Sequence, residues 1–241
     1  MSNTTYIALS WQNGLRRKLE IAANNIANAS TPGFKSDQLV FHELLEGKAE
    51  KQPKLSYVID QGTATDFREG SFSTTNAPLD FAIEGQGFFA VKTPEGVRYT
   101  RNSQFTMDST GQVVTAAGHP LLASGSPLTI PTGAKEITVT PEGSVSTDLG
   151  NIGKIDLVSF NDPRLLVKEG NGLWNPPEGE TPKATTSARI LQGMKEESNV
   201  NTVVAMTDLI EVNRAYSSIQ KLLDTEHERL RNAISKLGKP A

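Results

Sequence analysis

The sequence contains no cysteine. Disulfide staples, thiolate nucleophiles and cysteine-ligated metals are excluded together, and the compartment stays open, because such a chain is equally safe in reducing and oxidising surroundings. Aromatic residues are sparse, at two Trp, four Tyr and nine Phe, and the hydrophobic share is 37%. The chain can fold but is not rich in core. Charge of one sign is also lacking: 24 Lys and Arg stand against 27 Asp and Glu, a formal net charge of −3. This balance leaves no electrostatic footprint for nucleic acid and weighs against a polyanion or membrane surface as partner. No run of about twenty apolar residues occurs, so no membrane span is expected. The start, Met1-Ser2-Asn3-Thr4-Thr5-Tyr6, lacks the basic stretch and apolar core of a cleavable signal peptide.

Catalytic constellations are missing as well. His42, His119 and His227 fall in different sections with no metal-ligand spacing. Gly85-Gln86-Gly87 would need a helix behind it to cradle phosphate, yet Phe88-Phe89-Ala90-Val91 reads as a strand. The expectation is a hairpin turn at Gly85 and Gly87, with Phe88 and Phe89 anchoring the sheet. No serine sits in a Gly-x-Ser-x-Gly elbow. The acid pairs Glu43/Glu46 and Glu196/Glu197 read as solvated charge. No catalytic residue, metal or cofactor is expected, and the chain does not read as an enzyme.

What is present is periodicity at both ends. Ala8, Trp11, Leu15, Leu19, Ala22, Ile26 and Ala29 recur at steps of three and four, the stripe of an amphipathic helix. Pro32 and Gly33 should end it near Ser30. The C-terminal pattern is sharper: Ala205, Leu209, Val212, Tyr216, Ile219, Leu223, Glu226, Leu230, Ala233 and Leu237 alternate steps of four and three. Leu209, Tyr216, Leu223, Leu230 and Leu237 lie seven apart, a coiled-coil seam broken only by Glu226. A helix over Thr202–Leu237 would be roughly 54 Å long at the usual rise. Ser198 or Asn199 is expected to cap it, and Gly238 with Pro240 to close it.

Between the helices the period shortens. Leu79–Ile83, Ile137–Val139 and Ile155–Val158 alternate, and turns are expected at Ser109–Gly111, Asn151–Gly153 and Asn161–Pro163. Pro-Glu-Gly occurs at Pro94, Pro141 and Pro177, which reads as recurring turn chemistry rather than a repeat. The expected fold is α+β: long terminal helices paired as a coiled-coil-like stalk, with an antiparallel β-rich central domain. The expected divisions are 1–65 for the N-terminal helix and an extended segment, 66–190 for the β-rich domain and 191–241 for the heptad helix. A helix of 36 residues is longer than its N-terminal partner, so part of its seam needs cover from other subunits. Three Asn within Asn24–Asn28 cost helix stability, roughly 0.5 kcal/mol each relative to Ala. Their amides are expected to bond neighbouring subunits or the partner helix.

These features carry a resemblance. Ala23-Asn24-Asn25-Ile26-Ala27-Asn28-Ala29-Ser30-Thr31-Pro32-Gly33-Phe34-Lys35 resembles the N-terminal signature of the flagellar rod and hook axial protein family. Glu197-Ser198-Asn199-Val200-Asn201, with Arg214-Ala215-Tyr216, resembles the family's C-terminal motif. Ala82 through Phe89, and Tyr99-Thr100-Arg101 through Phe105, Asp108 and Gly111, also look like it. One departure is Ser103, where family members usually carry Gly. Length and the segment Asn76–Ile83 look most like the proximal-rod type, with the distal-rod and hook types as alternatives. A stalked β-rich binding module of adhesin type is the rival from another class.

The resemblance implies a structural subunit, exported through the flagellar type III apparatus without a cleaved signal and assembled into the hollow rod across the periplasm. Its partners would be other rod proteins, copies of itself and the export apparatus, with no nucleic acid and no membrane insertion. Assembly is expected to use Leu15, Leu19, Ala22, Asn24, Asn25, Ile26, Asn28, Pro32, Gly33 and Phe34 near the N-terminus. At the other end it is expected to use Ser198, Asn199, Val200, Leu209, Val212, Tyr216, Ile219, Leu223, Leu230 and Leu237.

Overall fold

A computed structural model describes residues 3–46, 55–185 and 187–237. They form two terminal helices and a β-rich centre, an α+β arrangement. The chain divides into two compact units. One comprises residues 1–27, 37–65 and 201–241, and the other residues 28–36 and 66–200.

The first unit holds helix α1 (Asn3–Ala27) and helix α2 (Thr202–Leu237), which pack against one another, and a hairpin of β1 (Asp37–Glu46) and β2 (Leu55–Thr65). The bounds of α2 are those its heptad spacing predicts, because an unbroken run of apolar positions leaves few competing conformations. Helix α1 stops at Ala27, before the expected Ser30. Its successor Asn28 turns the chain instead: the Thr31 amide donates to the Asn28 carbonyl at 3.0 Å, and Thr31 Oγ1 to Asn28 Oδ1 at 3.1 Å. The cap of α2 also differs from expectation. Asn201 Oδ1 accepts from the amides of Val203 and Val204, both at 3.1 Å, so Asn201 is the N-cap rather than Ser198 or Asn199. Gly238 and Pro240 lie outside the described residues. The hairpin was legible only as an extended segment; it runs in antiparallel register from Asp37 opposite Thr65 to Glu46 opposite Leu55, with a shift between Val40 and Phe41.

In the second unit, among the described residues, every paired strand is antiparallel. It opens with β3 (Phe72–Thr74) and β4 (Phe81–Glu84), followed by β5 (Phe88–Thr93) and β6 (Gly96–Thr100). The largest sheet has six strands, in the order 167–170, 173–175, β6, β5, 157–159, 183–184. Alternation along β5 sends Phe89 and Val91 into one core with Phe81, Ile83, Leu121 and Ile190, and Phe88 and Ala90 into another with Tyr99, Phe160 and Trp174. The rings meet edge to face, Phe89 on Phe105 at 5.4 Å and Tyr99 on Phe160 at 4.9 Å. A sparse aromatic set is thus concentrated on one strand and its neighbours.

Two turn expectations change. Asn151-Ile152-Gly153 lies inside the strand 150–154, and the reversal falls at Asp148-Leu149, where Gly150 takes the positive φ of +133°. Gly85-Gln86-Gly87 is a bend and not a hairpin. Its flanking strands sit in different sheets, since β4 pairs with the strand Arg189–Gln192 while β5 pairs with β6. The three Pro-Glu-Gly tripeptides do form turns, each with its Gly at positive φ.

Candidate assembly surfaces

In the first unit the seam of α2 is covered where its spacing predicts. Val212 and Leu223 are buried, while Ala205, Leu209, Tyr216, Ile219 and Glu226 are half-buried between exposed neighbours. Toward the end of the helix cover thins: Leu230 and Ile234 are exposed, and the side chain of Leu237 lies outside the described set. On α1, Ala8 and Leu15 are buried and Leu19, Ala22 and Ile26 half-buried. Trp11, on the expected stripe, stands exposed, as does Leu9, which lies off it.

A second apolar stripe was not read from the sequence. Val203, Met206 and Ile210 are all exposed, Val203 at 75%. At 3.6 residues per turn, Val203 and Ile210 lie nearly opposite Val212, and Met206 about 120° around the helix from it. The first three turns of α2 are therefore apolar on both faces, a pattern that ordinarily marks a buried helix. The signal was available in the steps of three and four between them, but the longer heptad masked it.

The Asn-rich stretch divides between the units. Asn25 folds back within the first: its Nδ2 donates to the Asp37 carbonyl at 2.8 Å and its Oδ1 accepts the Asp37 amide at 3.0 Å. Asn24 is exposed on α1, and Asn28 holds the turn already described.

Pro32, Gly33, Phe34, Ser198, Asn199 and Val200 all belong to the second unit, where the Asn199 amide donates to the Phe34 carbonyl at 3.4 Å. The Gly33 amide donates to the Glu196 carbonyl at 2.8 Å. Gly33 has φ +68°, and a Cβ there would lie 2.1 Å from the Arg101 carbonyl oxygen, so only glycine fits. Asn199 acts as a staple: its Oδ1 accepts the Ser36 amide at 2.8 Å, and its Nδ2 donates to the carbonyls of Asp66 and Arg68 at 2.8 and 3.1 Å. Ser198 Oγ accepts the Val200 amide at 3.2 Å. Lys168 places its ammonium 4.3 Å from the Phe34 ring centre while donating to the Lys35 carbonyl at 3.1 Å.

Beneath these contacts lies a buried charge cluster that sequence reasoning missed. Glu196, expected to be solvated, is 0% exposed; Lys35 is 1% and Arg101 4% exposed. Lys35 Nζ donates to Glu196 Oε1 at 2.6 Å and to the Arg68 carbonyl at 2.8 Å. Arg101 Nε donates to Glu196 Oε2 at 3.1 Å, and its other nitrogens to the carbonyls of Gly85, Gly87 and Ile83. The Gly70 amide adds a bond to Glu196 Oε1 at 3.1 Å. Burial pushes the Lys35 ammonium below its ordinary value, and the Glu196 carboxylate opposes that shift. Ser103 belongs to the same cluster: its Oγ accepts the Glu196 amide at 3.1 Å, which gives the departure from glycine a role. Gly85 and Gly87 thus serve Arg101 as acceptors as well as bending the chain.

No group of three or more His, Asp or Glu among the described residues has the geometry to hold a metal ion, and no described helix is long and apolar enough to cross a membrane.

Comparison with known proteins agrees with this layout. Residues 6–35 match the family model described as flagella basal body rod protein. Residues 82–147 match the flagellar hook protein FlgE/F/G D1 domain, and residues 191–236 the flagellar basal body rod FlgEFG protein C-terminal. The flagellar basal-body rod protein FlgF of Caulobacter vibrioides is 40% identical over 247 aligned residues, covering 99% of each chain. Those of Mesorhizobium japonicum and Rhizobium meliloti are 35% and 33% identical, each again covering 99% of this chain; the alignments cover 99% of both relatives. With both helices, the β-rich centre and the full length accounted for, the chain belongs to the family of flagellar rod and hook proteins, within it to the FlgF-type basal-body rod proteins.

Proposed function

We propose that this chain is a structural subunit of the flagellar basal-body rod, polymerising with copies of itself and other rod proteins into a hollow, torque-transmitting tube that carries the export channel. The observation that carries the polymerising step is the double-faced start of α2. Helix α1 covers the seam side, while Val203, Met206 and Ile210 stay exposed away from it. Burying that stripe against a neighbouring subunit supplies association energy at roughly 25 cal/mol per Å² of apolar area. Pairing of α1 and α2 as a coiled-coil-like stalk leaves this outward face free for the neighbour. Delivery through the flagellar export apparatus and a location in the rod across the periplasm complete the proposal. The family is structural rather than enzymatic.

The test is complementation of a strain lacking this chain. The unaltered chain restores swimming. The Val203→Asp/Ile210→Asp variant leaves the isolated protein's melting curve in place, because both sites are exposed, yet gives truncated rods and no motility. Full motility with both aspartates in place would remove the outward stripe from assembly.

A further inference from the structure

The first strands of the second unit pair with its last. Strand β3 pairs with Met194–Glu196 through Phe72 opposite Glu196 and Thr74 opposite Met194, and β4 pairs with Arg189–Gln192. Ala188 and Ile190 complete the larger core. Closure therefore waits for residues more than a hundred positions downstream, and the buried charges sit on this closing seam.

We infer that Lys35, Arg101 and Glu196 form a charge latch that makes closure of the β-rich unit conditional on the arrival of Glu196. Lys35 and Arg101 belong to parts of the chain that precede the closing strand. Without Glu196 they leave two cations in an interior from which water is excluded, and burying uncompensated charge is strongly unfavourable. Glu69 cannot replace it in place, being part-exposed, 3.7 Å from Arg101 and engaged by the Gly85 amide. An apolar seam would permit early closure, whereas this one opposes closure until the carboxylate arrives.

The same cluster guards register against a slip in one direction. A slip of one residue in Met194–Glu196 turns every side chain of the strand to the opposite face. A slip in one direction would bring Lys195 against Lys35 and Arg101, three cations without an acid, whereas a slip in the other would bring Glu197 there and take it from Ser73 and Lys195. In the correct register Lys195 instead pairs with Glu197 at 3.1 Å, and Glu197 accepts from Ser73 Oγ at 2.8 Å. The latch needs nothing from the rod assignment and operates in the isolated chain.

The test uses the full-length chain with Trp11→Phe, so that Trp174 reports on the β-rich unit. Urea titrations and amide exchange compare Glu196→Gln, Lys35→Met and the double variant. Glu196→Gln is expected to lower the folded-to-unfolded ratio by roughly 100-fold or more. It should also remove exchange protection at Phe72–Thr74 and Phe81–Glu84, far away in sequence. The double variant removes the orphaned ammonium and recovers at least about tenfold of that ratio. If Glu196→Gln does not fold, recovery of folding in the double variant carries the same meaning. A double variant no better than Glu196→Gln alone, or protection lost only within Met194–Glu196, would overturn the latch.

Discussion

Placing a methyl group on Gly33 should separate two costs that usually travel together. Gly33 has φ +68°, and its added Cβ would sit 2.1 Å from the Arg101 carbonyl oxygen and 2.5 Å from its carbon. An L-residue in the left-handed region costs about 1–2 kcal/mol. Relieving the overlap requires a backbone shift beside Arg101, and overpacking of that kind adds about 1–3 kcal/mol. Two controls isolate the parts. Gly118 has φ +81° and nothing within 4 Å of its Cβ position, so Gly118→Ala carries the conformational cost alone. At Gly70 the added Cβ would lie 2.0 Å from the Glu197 carbonyl oxygen without a positive φ, so Gly70→Ala carries mainly the steric cost. Expected losses are about 1–2 kcal/mol for Gly118→Ala, about 1–3 kcal/mol for Gly70→Ala and about 2–5 kcal/mol, the largest of the three, for Gly33→Ala. Urea unfolding followed by Trp174 fluorescence, in the Trp11→Phe background, reads all three. At ~2–4 °C per kcal/mol the melting temperatures should separate clearly. A Gly33→Ala variant no less stable than Gly118→Ala would refute the close approach to Arg101.

Other outcomes follow from the same structure. Asn25→Ala removes both bonds to the Asp37 backbone and should cost the first unit about 1–3 kcal/mol, with faster exchange of the Asp37 amide as its signature. Leu223→Ala on the covered seam should cost about 2–4 kcal/mol, and Ile234→Ala, at 69% exposed, under about 0.5 kcal/mol, both read by helix melting. Hydrogen bonds from Arg68 hold the Asp66 carboxyl below its ordinary value, and bonds from Ser73 and Lys195 do the same for Glu197. The folded state therefore binds fewer protons than the unfolded state as these groups titrate. Their stabilisation is present above their ordinary values and is lost as pH falls through the depressed ones. Urea midpoints should thus stay flat from pH 7 to 5 and drop below about pH 4; a decline beginning at pH 6 would contradict this.

The helices were legible because each depends on short-range spacing. The pattern from Ala205 to Leu237 repeats over several turns, so it gives the type and bounds of the element and, as far as Glu226, its covered face. Turns were legible where the tripeptide itself dictates geometry, as at the three Pro-Glu-Gly sites, and illegible where competing residues lie close together. Ser198, Asn199 and Asn201 are all good caps, and the choice fell to Asn201 because Asn199 is drawn to Ser36, Asp66 and Arg68. The charge cluster was beyond reach for a related reason. Glu196 beside Glu197 looks like solvated charge, and only pairing with Phe72, far away in the chain, turns one inward and leaves the other at the rim. Trp11 and the outward stripe on α2 belong to a third group, residues whose apolar character is plain in the sequence but which the chain by itself leaves exposed.

The division of the chain has a practical consequence for anyone reworking it. The polypeptide passes between its two units at 27/28, 36/37, 65/66 and 200/201, so neither unit is a contiguous stretch that a cut at two points would release. Epitopes, fluorophores and split-protein halves therefore belong at the tips of exposed turns, such as Glu178-Gly179, where the loop makes room without re-routing the chain. The nine residues 28–36 are the wrong place: they belong to one unit while both of their flanking segments belong to the other.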